Sequence, residues 1–191
     1  MFRILSILVF LGAFSLNAQA VSIDPDDCGG TLTCWEVNTT PALHADDVEI
    51  IVGSSSELVL YYKQDFGGGE TGFFSDNYET TFTGAVSSEP TGADIVHDIG
   101  DLVSINCPEC YLVVKDGANG DPSQYIIDLS TWNGLDTLSL SGFWDGSGVA
   151  GAISHVAIYG DVSAVPVPAA IWLFGTALIG LVWFDKRKLA V

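Results

Sequence analysis

Between Val21 and Ala164 the chain never sustains the 3.6-residue apolar period of a long amphipathic helix, which removes most helical architectures from consideration. Short runs rich in β-branched and aromatic residues recur instead, at 48–52, 58–62, 80–83, 95–99, 111–115, 125–129, 135–143 and 153–159. Turn signals separate them, among them Gly53-Ser54-Ser55-Ser56, Gly67-Gly68-Gly69, Glu89-Pro90-Thr91-Gly92 and Asp145-Gly146-Ser147-Gly148. In Thr137-Leu138-Ser139-Leu140-Ser141 the leucines share one face and the hydroxyls the other, the period of a half-buried strand. The pattern predicts one all-β domain over 21–163, a single antiparallel β-sandwich of jelly-roll-like kind. The opening stretch to about Asp47 has little periodicity and reads as an edge hairpin or a cap.

Two apolar segments flank this domain. Arg3 precedes the apolar run 4–16, and Ala18-Gln19-Ala20 supplies the small residues a signal peptidase requires, so 1–20 reads as a signal peptide cut before Val21. The second run, 169–184, is long enough for a helix rising about 24 Å. Trp172 and Trp183 sit near its ends, and Lys186-Arg187-Lys188 follows as a cytoplasmic lock. Together these features predict export, with transient single-pass anchoring through a C-terminal transmembrane helix.

Charge is distributed just as unevenly. Residues 21–164 carry 23 of the 24 carboxylates but only Lys63 and Lys115, so 23 negative against two positive leaves −21 on the exported part. That sign excludes nucleic acid as a partner and favours cations or basic polymers. Four cysteines in an exported chain imply disulfides, with Cys28/Cys34 and Cys107/Cys110 as local pairs and crossed pairings left open. A redox role for Cys107-Pro108-Glu109-Cys110 would need a helix after it, whereas 111–115 reads as a strand.

The C-terminus has a recognisable order: Val165-Pro166-Val167-Pro168-Ala169-Ala170, a short apolar span beginning Ile171-Trp172-Leu173-Phe174-Gly175, then Lys186-Arg187-Lys188. It resembles the PEP-CTERM sorting signal in its VPLPA-type variant, with Val167 standing where the name-giving motif has Glu. The resemblance implies recognition of residues 164–191 by an exosortase near Val165, Pro166, Val167, Pro168 and Ala169, in a bacterium that makes exopolysaccharide. The stretches at 107–117, 141–144 and 151–160 resemble, more weakly, passenger regions of such proteins. Two prolines also hold the junction extended, the form a protease cleft accepts.

Few constellations suggest chemistry. Alternation puts His97 on a face with Ile95 and Ile99, and His155 with Ile153, Ala157 and Tyr159, so both read as structural. No Gly-x-Ser-x-Gly elbow occurs. Asp116, Asn119 and Asp121 set three oxygen-bearing side chains in a glycine loop, a candidate calcium site that is also ordinary turn chemistry. Glu36-Val37-Asn38-Thr39-Thr40 fits an acidic-x-Asn-x-Thr sequon, a pattern short enough to arise by chance. Trp132, Trp144, Tyr61, Tyr62, Phe73, Phe74 and Tyr125 are numerous enough to form a core or to stack on sugars. Trp132 lies in a turn and is the one expected to be exposed, so Trp132 and Trp144 are the candidate carbohydrate contacts.

The sequence therefore predicts a non-enzymatic surface or matrix protein with a structural or adhesive role. A carbohydrate-binding module for exopolysaccharide, assisted by calcium, is the alternative, and a glycan-active enzyme comes third.

Overall fold

The computed structural model describes residues 19–84, 88–101, 103–106, 108–117, 120–144 and 151–162. Among them ten strands form two sheets. In chain order the elements are β1 (Ala20–Ile23), β2 (Cys34–Val37), α1 (Ala45–Val52), β3 (Leu58–Asp65), β4 (Glu70–Thr71) and β5 (Tyr78–Thr83), followed by β6 (Gly92–His97), β7 (Cys110–Asp116), β8 (Gln124–Asp128), β9 (Thr137–Leu140) and β10 (Ile153–Asp161). One sheet runs β1-β9-β6-β5, the other β2-β8-β7-β10-β3-β4. Residues 1–18 of the expected signal peptide and the expected C-terminal transmembrane helix lie outside the described residues, within which no helix is long and apolar enough to cross a membrane.

The sheets share one core. Ile23, Ile95, Leu138 and Leu140 of the smaller sheet meet Tyr61, Tyr62, Leu112, Val114, Ile127, Val156 and Ile158 of the larger one. Removing each such side chain from water contributes roughly 1.5–3 kcal/mol, which outweighs any local propensity. The outer face of the larger sheet is apolar too. Val37, Leu58, Val113, Ile126, Ala157 and Tyr159 lie there under Leu43 and Val48. Hence β7 and β10 are covered on both faces and read as nearly continuous apolar runs rather than alternating ones.

Four expectations need correction. The run at 48–52 is not a strand but the end of α1. Val48, Ile51 and Val52 are spaced for one helical face, Asp46 and Asp47 occupy the favourable first turn, and Gly53 closes the helix at φ 73°. The sheets are not wholly antiparallel, because β1 pairs with β9 in parallel (Ala20 opposite Thr137). The long chain between those two strands lets them run the same way. The opening stretch is no hairpin either: β1 and β2 sit at edges of different sheets, and the Cys28–Cys34 disulfide ties the chain between them to the start of β2. Finally, Ile99 is fully exposed, since β6 stops at His97.

Strand register also sorts the two histidines. A bulge between Ile153 and His155 turns Ile153 into the inter-sheet core, while His155 faces outward with Ala157 and Tyr159. His97 remains on the inner side, its ring 5.2 Å from Tyr78 and its Nε2 2.9 Å from the Val103 carbonyl oxygen.

Both chain junctions leave from the same end of the domain. At β10 the Asp161 and Val162 amides donate to the carbonyls of Glu109 and Glu57. At β1 the Gln19 amide donates to Asp136, whose carbonyl also accepts from Trp132 Nε1. Trp132 follows β8, and its neighbour Leu129 bonds back to Cys110 at the start of β7. We call this the near end. The opposite, far end lies about 25 Å away, the span of eight-residue β3. There Phe66 stacks edge-on against Phe82 at 5.4 Å, and the Phe66 amide donates to Ser154.

Candidate functional site

The far end holds an open cleft of about 300 Å³, lined by Phe66, Ser88, Glu89, Gly117, Ala152, Ile153 and Ser154. Ile153 is buried at its base, whereas Phe66 is 41% exposed. Strand ends and loops of both sheets place these residues. Phe66 closes β3, Ser154 opens β10, and Pro90 accepts a 2.7 Å bond from the Ile153 amide, which fixes Glu89 beside them. The sequence carried one overlooked signal for the cleft. Phe66 stands directly before Gly67-Gly68-Gly69, so an aromatic ring at a strand end faces a loop without side chains.

Behind the cleft a polar row crosses the outer face of the larger sheet. Asp65 lies opposite His155, His155 opposite Lys115, and Lys115 opposite Gln124. Lys63 stands one row away, opposite Ala157. Both lysines of residues 21–164 thus flank one buried histidine. Burial, reinforced by Lys63 and Lys115 against the opposing pull of Asp65, pushes His155 down to about 4. It is therefore neutral at pH 7, and its 3.7 Å approach to Asp65 is a polar contact rather than an ion pair. Lys63 pairs with Asp65 at 2.9 Å, and Lys115 donates to the Asp116 carbonyl at 2.7 Å. Gln124 is fully buried and fastens the preceding loop, accepting from Leu43 and donating to Thr39 and Pro41.

Ser154, His155 and Asp65 superficially resemble a hydrolytic triad, yet the geometry does not relay a proton. Ser154 Oγ and Asp65 Oδ1 both approach the same nitrogen, Nδ1, at 3.5 and 3.7 Å. A relay needs the nucleophile on one ring nitrogen and the carboxylate on the other. Among the cleft-lining residues Glu89 is the one carboxylate, so the paired acids of a glycosidase do not converge there.

The sequence-derived candidates fall elsewhere. Trp132 is not exposed but 5% accessible, packed 6.0 Å from Tyr78. Its turn position was misleading because the turn folds inward, where Nε1 finds Asp136. Trp144 is buried as well, at φ 56°, donating Nε1 to Pro122 at 2.7 Å. Gly120 and Gly151 close over its ring where any Cβ would collide with it. Tyr61, Tyr62, Phe74 and Tyr125 are core residues too, and only Phe73 of that set is exposed. The proposed sugar platforms are thus structural.

The candidate calcium residues are similarly engaged. Asp116 is 3% exposed, and its carboxylate accepts the amides of Gly120 and Ala152 at 2.5 and 2.7 Å. Asp121 accepts from Asn38 Nδ2 at 2.9 Å, and Asn119 lies outside the described residues. These bonds make Asp116 the organiser of its loop, with its oxygens turned to backbone donors. No three His, Cys, Asp or Glu side chains converge on a metal-sized site among the described residues. The sequon residue Asn38 is exposed, with its amide held between Asp121 and the Ser123 N–H.

Of the cysteines, Cys28 and Cys34 are joined and Cys110, at the start of β7, is also disulfide-bonded; Cys107 lies outside the described residues. Ala20 and Val21 belong to β1, so the expected signal cut falls one residue inside that strand. Ala18, Val165, Pro166, Val167, Pro168, Ala169, Lys186, Arg187 and Lys188 lie outside the described residues. Comparison with known protein families, with curated proteins and with solved structures finds no match.

Proposed function

We propose that this chain is an exported structural or adhesive component of a bacterial surface or extracellular matrix, sorted through its C-terminal PEP-CTERM-like signal. Its working part is the acidic two-sheet domain, read as a β-sandwich, and exosortase is its processing partner. The observation that carries the reading is how the domain joins its anchor. β10, bonded along both flanks to β3 and β7, ends at Asp161, four residues before Val165. A pull through the anchor would therefore load two ladders in shear at once, which suits a domain held at a surface under drag. The high negative charge keeps such a domain soluble and dispersed.

Signal-peptidase and exosortase processing together predict a mature chain that begins at Val21 and ends before Val191. Intact-mass measurement of the protein released from cells reads both termini and the disulfides together. Changing Pro166 and Pro168 to alanine should leave full-length chain in the membrane fraction. Recovery of wild-type surface protein with its tail intact through Val191 would overturn the reading.

A further inference from the structure

We propose that the far-end cleft binds a protonated amino-sugar unit of a polysaccharide, with Phe66 as the stacking face and Glu89 as the counter-charge. The inference rests on the surface reading above and supplies the ligand chemistry that reading lacks. It follows from where the cleft is, what lines it, and which sign of charge surrounds it.

Both junctions of the domain leave at the near end, so any membrane attachment through either one turns the far end outward. The cleft therefore faces away from such an attachment. Its volume of about 300 Å³ lies at the lower bound for small-molecule pockets and suits a single ring. Phe66 is 41% exposed, and its T-shaped contact with Phe82 holds the ring in place, so little freedom is lost on binding.

The polar lining then chooses among sugars. Ser88 and Ser154 offer hydroxyls, and Glu89 is exposed. The contacts of Ser154 Oγ are both long, at 3.5 Å to Asp116 O and His155 Nδ1, so its hydroxyl can turn to a ligand. Lys115, two residues from Gly117, donates to the Asp116 main-chain carbonyl and keeps its charge, whereas Lys63 pairs with Asp65. Against these two lysines stand 23 carboxylates in residues 21–164, so the net field around the domain is negative. A uronate would be repelled. A glucosamine-type ammonium would gain a charge-assisted bond to Glu89 and a cation–π contact with Phe66.

The test uses the full-length chain in a neutral detergent and titrates three probes at moderate salt: the tetramers of glucosamine, of N-acetylglucosamine and of galacturonate. Glucosamine tetramer should bind best and galacturonate not at all. Phe66→Ala and Glu89→Gln should each weaken binding about tenfold. Phe66→Tyr should retain it, and Phe73→Ala, remote from the cleft, should leave it unchanged. Circular dichroism checks that each variant is folded; Glu89→Gln, on an exposed side chain, keeps the test sound if Phe66→Ala is not. Equal binding by all variants would mean diffuse adsorption to an acidic surface and would overturn the site. So would absent binding, or a preference for galacturonate or the acetylated tetramer. Correct processing in cells with no binding sinks this inference alone, and binding together with cell-derived protein that keeps its tail through Val191 sinks only the sorting reading.

Discussion

The two ends of the domain are fastened by different chemistry. At the near end the central bonds join neutral groups. Tyr78 is fully buried, donates its hydroxyl to the Gly134 carbonyl at 2.6 Å and accepts the Ile105 amide at 2.8 Å. Trp132 packs against it, and Gly134, at φ 75°, leaves no room for a Cβ beside Ile105. Burial pushes the Tyr78 phenol up to about 12, so Tyr78 itself stays protonated across the neutral range. At the far end ionisable groups hold the loops: the buried Asp116 carboxylate, and His155 between Lys63 and Lys115. The Tyr78 bonds are made between neutral groups, whereas the buried, neutral His155 makes the opposite end sensitive to acid.

The largest test of that contrast is Asp116→Ala. It strands the Gly120 and Ala152 amides near buried Trp144, and should cost about 4 kcal/mol of unfolding free energy. Urea denaturation of variant and parent reads the change, and a loss below about 1 kcal/mol would deny Asp116 its organising role.

The next concerns acid. His155 takes up its proton near its ordinary 6.5 in the unfolded chain but only near 4 in the folded one. The unfolded state therefore binds more protons between those values. Stability is fully present above pH 6.5 and is lost as pH falls through that window, by as much as about 3 kcal/mol. Comparing parent with His155→Phe at several pH values isolates the effect from other carboxylates. Parallel pH curves for the two proteins would break the contrast at this point.

The smallest effect is expected at the near end. Tyr78→Phe removes both hydroxyl bonds and should cost about 2 kcal/mol, by the same amount at pH 5 and pH 8. A cost that varied with pH across that range would show that the near end, too, depends on an ionisable partner.

Much of the fold was legible because strands here alternate or run apolar between glycine turns. β3, β5, β7, β8 and β10 fall where the runs at 58–62, 80–83, 111–115, 125–129 and 153–159 indicated. α1 was missed because Val48, Ile50, Ile51 and Val52 have β-type side chains, and one buried helical face of Val48, Ile51 and Val52 is too short to show a period. β2 and β4 were missed because four- and two-residue edge strands carry almost no pattern. The site was scarcely legible at all. Trp132 and Trp144 attracted attention as large rings near turns, but turns can fold inward, and exposure belongs to the packed molecule.

The sequence by itself determined the excess of carboxylates over lysines, the β class of the middle, and the two apolar ends with the basic cluster beyond. These are properties of composition and local order, which no folding changes. Only the tertiary structure decided that both junctions leave from one end, that the tryptophans are core, and that Phe66, Glu89 and Ser154 meet around a cleft. Those facts depend on sheet register and on contacts between residues far apart in the chain, such as the bonds from Ile153 to Pro90 and from Gln19 to Asp136. Burial of apolar area chooses among such long-range arrangements, and that choice is collective. No single stretch of the chain contains it.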